Sequence, residues 1–342
     1  MSRSKQKKTA FALLKMVLAV GILAYLVAGL QSQAGFSRLI HQPKHWGMLI
    51  TAACLVTIAY SLSFFRWYLL VRALGIPFHM RDALRLGFLG YILNFVSPGS
   101  VGGDLFKAVF LAREQPGQRV SAVASIVIDR VVGLYAMLLV ASLGLIITGS
   151  TFEDNRSFQT ISIVIQIAAL AGTLGVGLLM LPESVDQQIS RLAGKLPLVG
   201  QTLSRLTQSA LVYRHHRAAL FAAIATGVIT HCLVITAFWA IERGLPVHAA
   251  TFAENLLLVP TSLFAGAVPA TPSGLGTMEA AVELLYRTIG AAKGDGTMVA
   301  LAYRVATIVM ATVGAAYYLM ARRNVKEMIH AADELAEQMH PD

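Results

Sequence analysis

The chain has 342 residues, 56% of them hydrophobic and 13% charged. A soluble domain carries about 25% charged residues, so a chain this apolar needs a bilayer as its solvent. The net charge of +10 would suit nucleic acid in a soluble protein. Here the Lys and Arg residues lie mainly between apolar segments, where membrane orientation and anionic lipid account for them, and no nucleic-acid partner is expected.

The basic start, MSRSKQKK, leads into an apolar run from Thr9 to Leu30. That run exceeds a signal-peptide core, and is read as a retained first helix despite a weak cleavage-like Ser32-Gln33-Ala34. Further full-length apolar segments fall near 45–71, 120–149, 159–181, 218–241 and 297–321. Each meets the roughly 20 residues that a spanning helix needs. Two more apolar regions, 84–111 and 252–289, are interrupted. The first is expected to be a re-entrant helical hairpin; the second could be a hairpin or two unequal helices.

The interruptions look alike. SPGSVGGDLFKA, from Ser97 to Ala108, and TPSGLGTMEAAVE, from Thr271 to Glu283, each place a Pro among small residues. In each, a carboxylate then opens a new apolar segment. Arg130 follows Pro98 by 32 residues, and Arg304 follows Pro272 by 32. A broken hydrophobic segment recurring in both halves of a membrane protein points to a binding site. Backbone freed by such breaks is tolerated at membrane depth only inside protein or beside a polar cavity.

Charge bias sets the orientation. The N-terminus, the link carrying Arg72, Arg81 and Arg85, the stretch 182–217 and the tail are basic, whereas 150–158, 242–251 and 290–296 are poor in base. The positive-inside rule then places both termini in the cytoplasm, provided each broken region returns to the side it entered. The hairpins enter from opposite faces, and 45–149 repeats as 218–321 in inverted orientation. The expected fold is all-α and polytopic: about six full transmembrane helices plus two broken hairpins in one integral membrane domain spanning 1–342. Residues 183–217 read as a cytoplasmic amphipathic linker, and 322–342 as a cytoplasmic tail.

Ionisable groups at membrane depth cost about 2.5 kcal/mol or more each and mark a function or a structural pair. Arg130 lies about 15 Å into its helix at the helical rise. Arg130 and Arg304 could offer bidentate donors to a lipid phosphate, or each could be neutralised by a hairpin carboxylate. Asp129, adjacent to Arg130, points about 100° away on a helix and serves a different partner. Asp104 and Lys107 are spaced to pair on one face, and Asp104 also suits a helix N-terminus. Glu279 and Glu283 share a face, where two carboxylates repel unless a cation, a proton or an arginine intervenes. Gly102, Gly103, Gly274 and Gly276 permit close backbone approach, either for anion binding by exposed amides or for helix packing. Asn94 is expected to bond freed carbonyls, Arg66 to snorkel to the cytoplasmic surface, Glu254 to be interfacial and His231 to be a packing residue. Cys54 and Cys232 lie in different apolar segments and suggest neither a disulfide nor a metal site. No HExxH, GxSxG or phosphate-loop pattern occurs, so neither catalysis nor a cofactor is expected.

NFVSPGSVGGDLFKAVFLAREQ, SIVIDRVVGLYAMLLVASLGLI and VPATPSGLGTMEAAVELLY together resemble the lysylphosphatidylglycerol synthase transmembrane family, also called the flippase-like domain family. The PxxxGGD, DR and PxGxGxxE elements carry the resemblance. It implies a multi-pass inner-membrane protein, and in two-domain members this part moves an aminoacylated phospholipid made by a soluble domain. No stretch of these 342 residues is expected to form such a domain, which leaves the lysyl substrate open. Other stand-alone relatives are associated with polyprenyl-phosphate glycans or hopanoid lipids. The resemblance therefore implies translocation of a phosphate-bearing lipid, with a separate lipid-synthesising enzyme as a further partner. A scaffold for such an enzyme and an integral-membrane enzyme acting on lipid-linked substrates remain alternatives, and oligomeric state is open.

Overall fold

The computed structural model describes Gly21 and residues 34–96, 102–148, 156–178, 213–268 and 271–320. The first apolar segment, the break at Pro98, most of the 183–217 linker and the 322–342 tail lie outside the described residues. The described residues form helices joined by short turns, with no strand among them. In chain order these are α1 (Ala34–His41), α2 (Trp46–Ala73), α3 (Met80–Val96), α4 (Gly102–Glu114), α5 (Arg119–Thr148), α6 (Arg156–Leu178), α7 (Arg217–Gly244), α8 (Phe252–Ala267), α9 (Thr277–Thr288) and α10 (Asp295–Met320).

The helices 46–73, 119–148, 159–177 and 214–244 are long and apolar enough to cross a membrane. At the α-helical rise, α2 with its 28 residues reaches about 42 Å, enough to span the hydrocarbon core at a tilt. The arms of the broken regions are different. α4 has 13 residues, α8 has 16 and α9 has 12, all below a full span, and α3 with 17 is at its lower limit. Both broken regions are thus pairs of short helices. The second, left open between hairpin and unequal spans, has the same short-armed form as the first.

Local chemistry sets where these arms begin and turn. α8 opens on a capping box: the Glu254 amide donates to Thr251 Oγ1 at 3.2 Å, and the Thr251 amide donates to Glu254 Oε2 at 2.7 Å. At the tip between α8 and α9, Ser273, Gly274 and Gly276 all have positive φ. That left-handed run turns the chain within a few residues and costs least at glycine. Gly274 sits so close to the Gly266 carbonyl that a Cβ could not be fitted. In the first hairpin Gly103 lies equally close to the Gly90 carbonyl.

Packing pairs come in matched sets. α3 packs on α4 and α8 on α9; α4 on α5 and α9 on α10; α2 on α3 and α7 on α8. Across the two units, α3 packs on α10 while α8 packs on α5, so each hairpin lies against the final helix of the other unit. α2 and α7, the equivalent first helices, form the most extensive helix pair and run antiparallel. The His45 amide, before α2, donates to the Gly244 carbonyl at the end of α7 at 3.1 Å. At the other end Tyr213 Oη donates to the Leu70 carbonyl at 3.1 Å.

α6 stands outside this scheme and packs mainly on α5. Tyr135 pairs with Thr173 and Ser142 with Gln166 along that seam, while Ile163, Ile167, Leu170 and Leu174 face outward. In a bilayer those side chains meet lipid tails. The main apolar core joins α2, α5, α7, α8, α9 and α10, with Ile165 of α6 at its edge and Phe238, Ile241, Leu257, Val282 and Val299 all fully buried. α3 and α4 pack into a second core with α2 and α5.

Candidate functional site

The two hairpins meet. Ser273 Oγ, at the tip of the second, donates to the Asn94 carbonyl at the end of α3, at 2.7 Å. Asn94 also uses its side chain: the Gly103 amide at the start of α4 donates to Asn94 Oδ1 at 2.8 Å. The expectation that Asn94 would bond freed carbonyls is corrected here. Its side chain accepts from an amide, because the break at a helix start leaves donors unsatisfied.

A cavity of about 270 Å³ lies where the tips approach. Its lining includes Asn94, Asp104, Lys107, Asp129 and Arg130 from the first unit, with Ser273 and Arg304 from the second. Arg130 donates from Nε to Asp104 Oδ2, and the rest of its guanidinium bonds no described side chain. Its side chain is 58% exposed, against 15% for Asp104. Lys107 Nζ stands 3.8 Å from Asp104 Oδ1 and rests over the rings of Phe64 and Trp67. Asp104 therefore answers two cations.

The second unit repeats the plan with tighter closure. Arg304 Nε donates to Glu279 Oε1 at 2.8 Å, and its Nη1 reaches the Ser273 carbonyl at 3.3 Å. Glu279 is fully buried and also accepts the Gly276 amide at 2.8 Å. Asp104 and Glu279 each occupy the third position of the helix after the break. Each thus sits in a first turn, where a carboxylate is favoured by free amides.

Asp129 and Arg130 do serve different partners. Arg66 Nε donates to Asp129 Oδ1 at 2.8 Å and Nη2 to Oδ2 at 3.2 Å, a two-point contact. Arg66 is 6% exposed and lines the cavity, so it does not snorkel to the surface. A carboxylate on the facing helix holds it inside.

Glu283 lies apart from the cavity lining. It accepts from the Gly294 amide at 2.9 Å, from the Thr297 amide at 3.0 Å and from Arg287. Sharing a helix face with Glu279 brought no shared ligand: one carboxylate turns to Arg304 and the other to the α9–α10 link. The motif amides are also engaged within the protein. Gly103 and Gly276 donate to side chains as above, and the Gly274 amide donates to the Thr271 carbonyl at 3.3 Å. Gly102 opens α4, and Pro272 opens the single 3₁₀ turn at the second tip. His231 is a packing residue with one ring nitrogen on the Gly133 carbonyl at 3.1 Å. Cys54 and Cys232 are free thiols.

Sequence reasoning passed over Tyr60, Tyr91 and Tyr303, which line the cavity beside Arg304. Tyr60 and Tyr91 meet edge-on with ring centroids 4.7 Å apart. Tyr60, Ser63 and Arg66 recur at three-residue spacing in an otherwise apolar helix, and Tyr303, Arg304 and Thr307 cluster in another. A polar stripe of that period within a span is the signal that could have found them.

Fold and site together define a polytopic all-α membrane protein, with two broken hairpins closing on a charged internal cavity. The sequence matches the family described as the lysylphosphatidylglycerol synthase TM region over residues 12–315, and the chain belongs to that family. It is 19% identical over 323 residues to a UPF0104 membrane protein of Methanocaldococcus jannaschii, covering 90% of this chain and 92% of the relative. No solved structure gives a significant match.

Proposed function

We propose that the protein is a flippase-like lipid translocase that carries a phosphate-bearing lipid headgroup through the cavity between its hairpins. The observation that carries this reading is the convergence of Arg130 and Arg304, one from each unit, on a single cavity. A guanidinium with free donors suits a phosphate oxygen, and among the described residues Arg130 keeps donors that bond no other side chain. The acyl chains would remain in the bilayer while the headgroup crosses. Arg304, clamped to Glu279 and to its own hairpin tip, would position the far wall. Rocking of one inverted unit against the other would expose the cavity to each side in turn.

On the positive-inside rule the protein would lie in the inner membrane with cytoplasmic termini. It would act by carriage rather than covalent chemistry, on a lipid supplied by a separate synthesising enzyme. The test is a proteoliposome assay with fluorescent phospholipids and polyprenyl phosphates added one at a time. Transbilayer movement of at least one lipid, lost in Arg130→Ala, is expected. No movement of any of them overturns the reading.

A further inference from the structure

The charges around the cavity do not balance. Arg66, Lys107, Arg130 and Arg304 line it, against Asp104 and Asp129. Behind Arg304 stands Glu279, fully buried on the same ion pair. Among the described residues, four cations thus face three carboxylates. Two of the pairs are closed one to one: Arg66 with Asp129, and Arg304 with Glu279. The surplus positive charge falls on Asp104, which Arg130 and Lys107 share.

We infer that Asp104 makes the cavity a charge filter that admits a phosphate carrying one negative charge and excludes the same phosphate carrying two. The inference rests on the proposed carriage of a phosphate-bearing headgroup. A phosphodiester has one negative charge at every working pH. A phosphomonoester has two above its second ionisation, near pH 6 by the usual value. One anion brings the cavity to neutrality. A second leaves a charge uncompensated among side chains that, apart from Arg130, are mostly buried. On membrane-insertion scales such a charge costs about 70-fold or more in affinity. Lys107 supplies the surplus. It is 12% exposed at its side chain and lies over two aromatic rings, which keeps its charge at the cavity wall.

The experiment measures binding of two lipids with identical acyl chains to purified protein in detergent micelles. Phosphatidylglycerol provides the diester and phosphatidic acid the monoester. At alkaline pH the diester should bind about 70-fold tighter. The monoester should gain affinity as pH falls through about 6, where its dianion takes up one proton and becomes a monoanion, while the diester stays flat. Asp104→Asn removes one negative charge in a side chain of the same shape, and should turn the preference toward the dianionic monoester. Lys107→Met leaves the Arg130–Asp104 pair intact, removes the surplus, and should weaken the diester by a similar factor. It decides the matter if Asp104→Asn does not fold. Equal binding of both lipids at alkaline pH, or an unchanged ratio in Asp104→Asn, overturns the filter and leaves the translocase reading standing. If neither lipid binds the unaltered protein, the reading of the cavity as a headgroup site falls, and the filter with it.

Discussion

Ser273 and Asn94, 179 residues apart in sequence, join the tips of the two hairpins through a hydrogen bond of 2.7 Å from hydroxyl to backbone carbonyl. Ser273 makes that bond from a left-handed conformation, at φ 49°. A residue with a Cβ pays about 1–2 kcal/mol to sit there. Ser273→Ala keeps that cost and loses a bond worth about 1 kcal/mol. Ser273→Gly loses the bond and is relieved of the cost. Thermal unfolding in detergent should therefore rank Ser273→Ala least stable, with Ser273→Gly close to the unaltered protein.

The two cavity arginines differ in what their removal leaves behind. Arg304→Ala strands Glu279, which is fully buried and has no other cation among its described partners. A buried charge left unpaired costs about 3–5 kcal/mol. Arg130→Ala leaves Asp104 with Lys107 and removes a side chain that is already 58% exposed. Thermal unfolding should show a large loss for Arg304→Ala and a small one for Arg130→Ala. Arg304→Ala, Glu279→Leu should recover much of the loss.

Arg66 and Asp129 lock α2 to α5 inside the protein, at side-chain exposures of 7% and 12%. Asp129→Asn alone should destabilise by about 3–5 kcal/mol, because the guanidinium stays buried without its counter-charge. Arg66→Met with Asp129→Leu removes both charges and should lie much nearer the unaltered protein. A double-mutant cycle on unfolding midpoints checks this.

Glu283 stands outside the cavity and holds the α9–α10 link. Glu283→Ala should speed amide hydrogen exchange at Gly294 and Thr297 and leave lipid binding within about twofold. Hydrogen-exchange mass spectrometry beside a binding titration separates the two effects. A large loss of lipid affinity would return Glu283 to the site.

Gly103 and Gly274 differ from Gly175, whose absent Cβ would meet nothing within 4 Å. Alanine at Gly103 would collide with the Gly90 carbonyl, and alanine at Gly274 with that of Gly266, where φ is also positive. Each should cost about 1–3 kcal/mol or more through backbone displacement. Gly175→Ala, on the outer face of α6, should be neutral or stabilising by up to about 1 kcal/mol. Melting temperatures of the three variants test the contrast.

Much of this architecture was legible in the sequence because its causes are local. Low charge and long apolar runs dictate a helical membrane protein, since only hydrogen-bonded helices or closed barrels satisfy the backbone in lipid. Pro and Gly interrupt two runs, and the shared spacing to Arg130 and Arg304 follows from chain position alone. The adjacency of Asp129 and Arg130 on a helix already separated their partners. The entry of the two hairpins from opposite faces is an expectation that rests on charge bias in the links, whereas the approach of their tips is visible only in the fold.

What the tertiary structure decided was which charge meets which. Arg66 looked like a surface anchor because snorkelling depends on depth, and sequence does not show that Asp129 faces it from another helix. Glu279 and Glu283 share a helical face, yet Arg304 takes one and the α9–α10 link takes the other. The cavity's surplus positive charge exists only once α5 brings Arg130 to the Asp104 that Lys107 already faces on α4. Hydrophobicity and chain breaks act along the chain and can be read there. Ion pairing at membrane depth acts across it, because a buried charge is stabilised by whichever opposite charge the packing delivers.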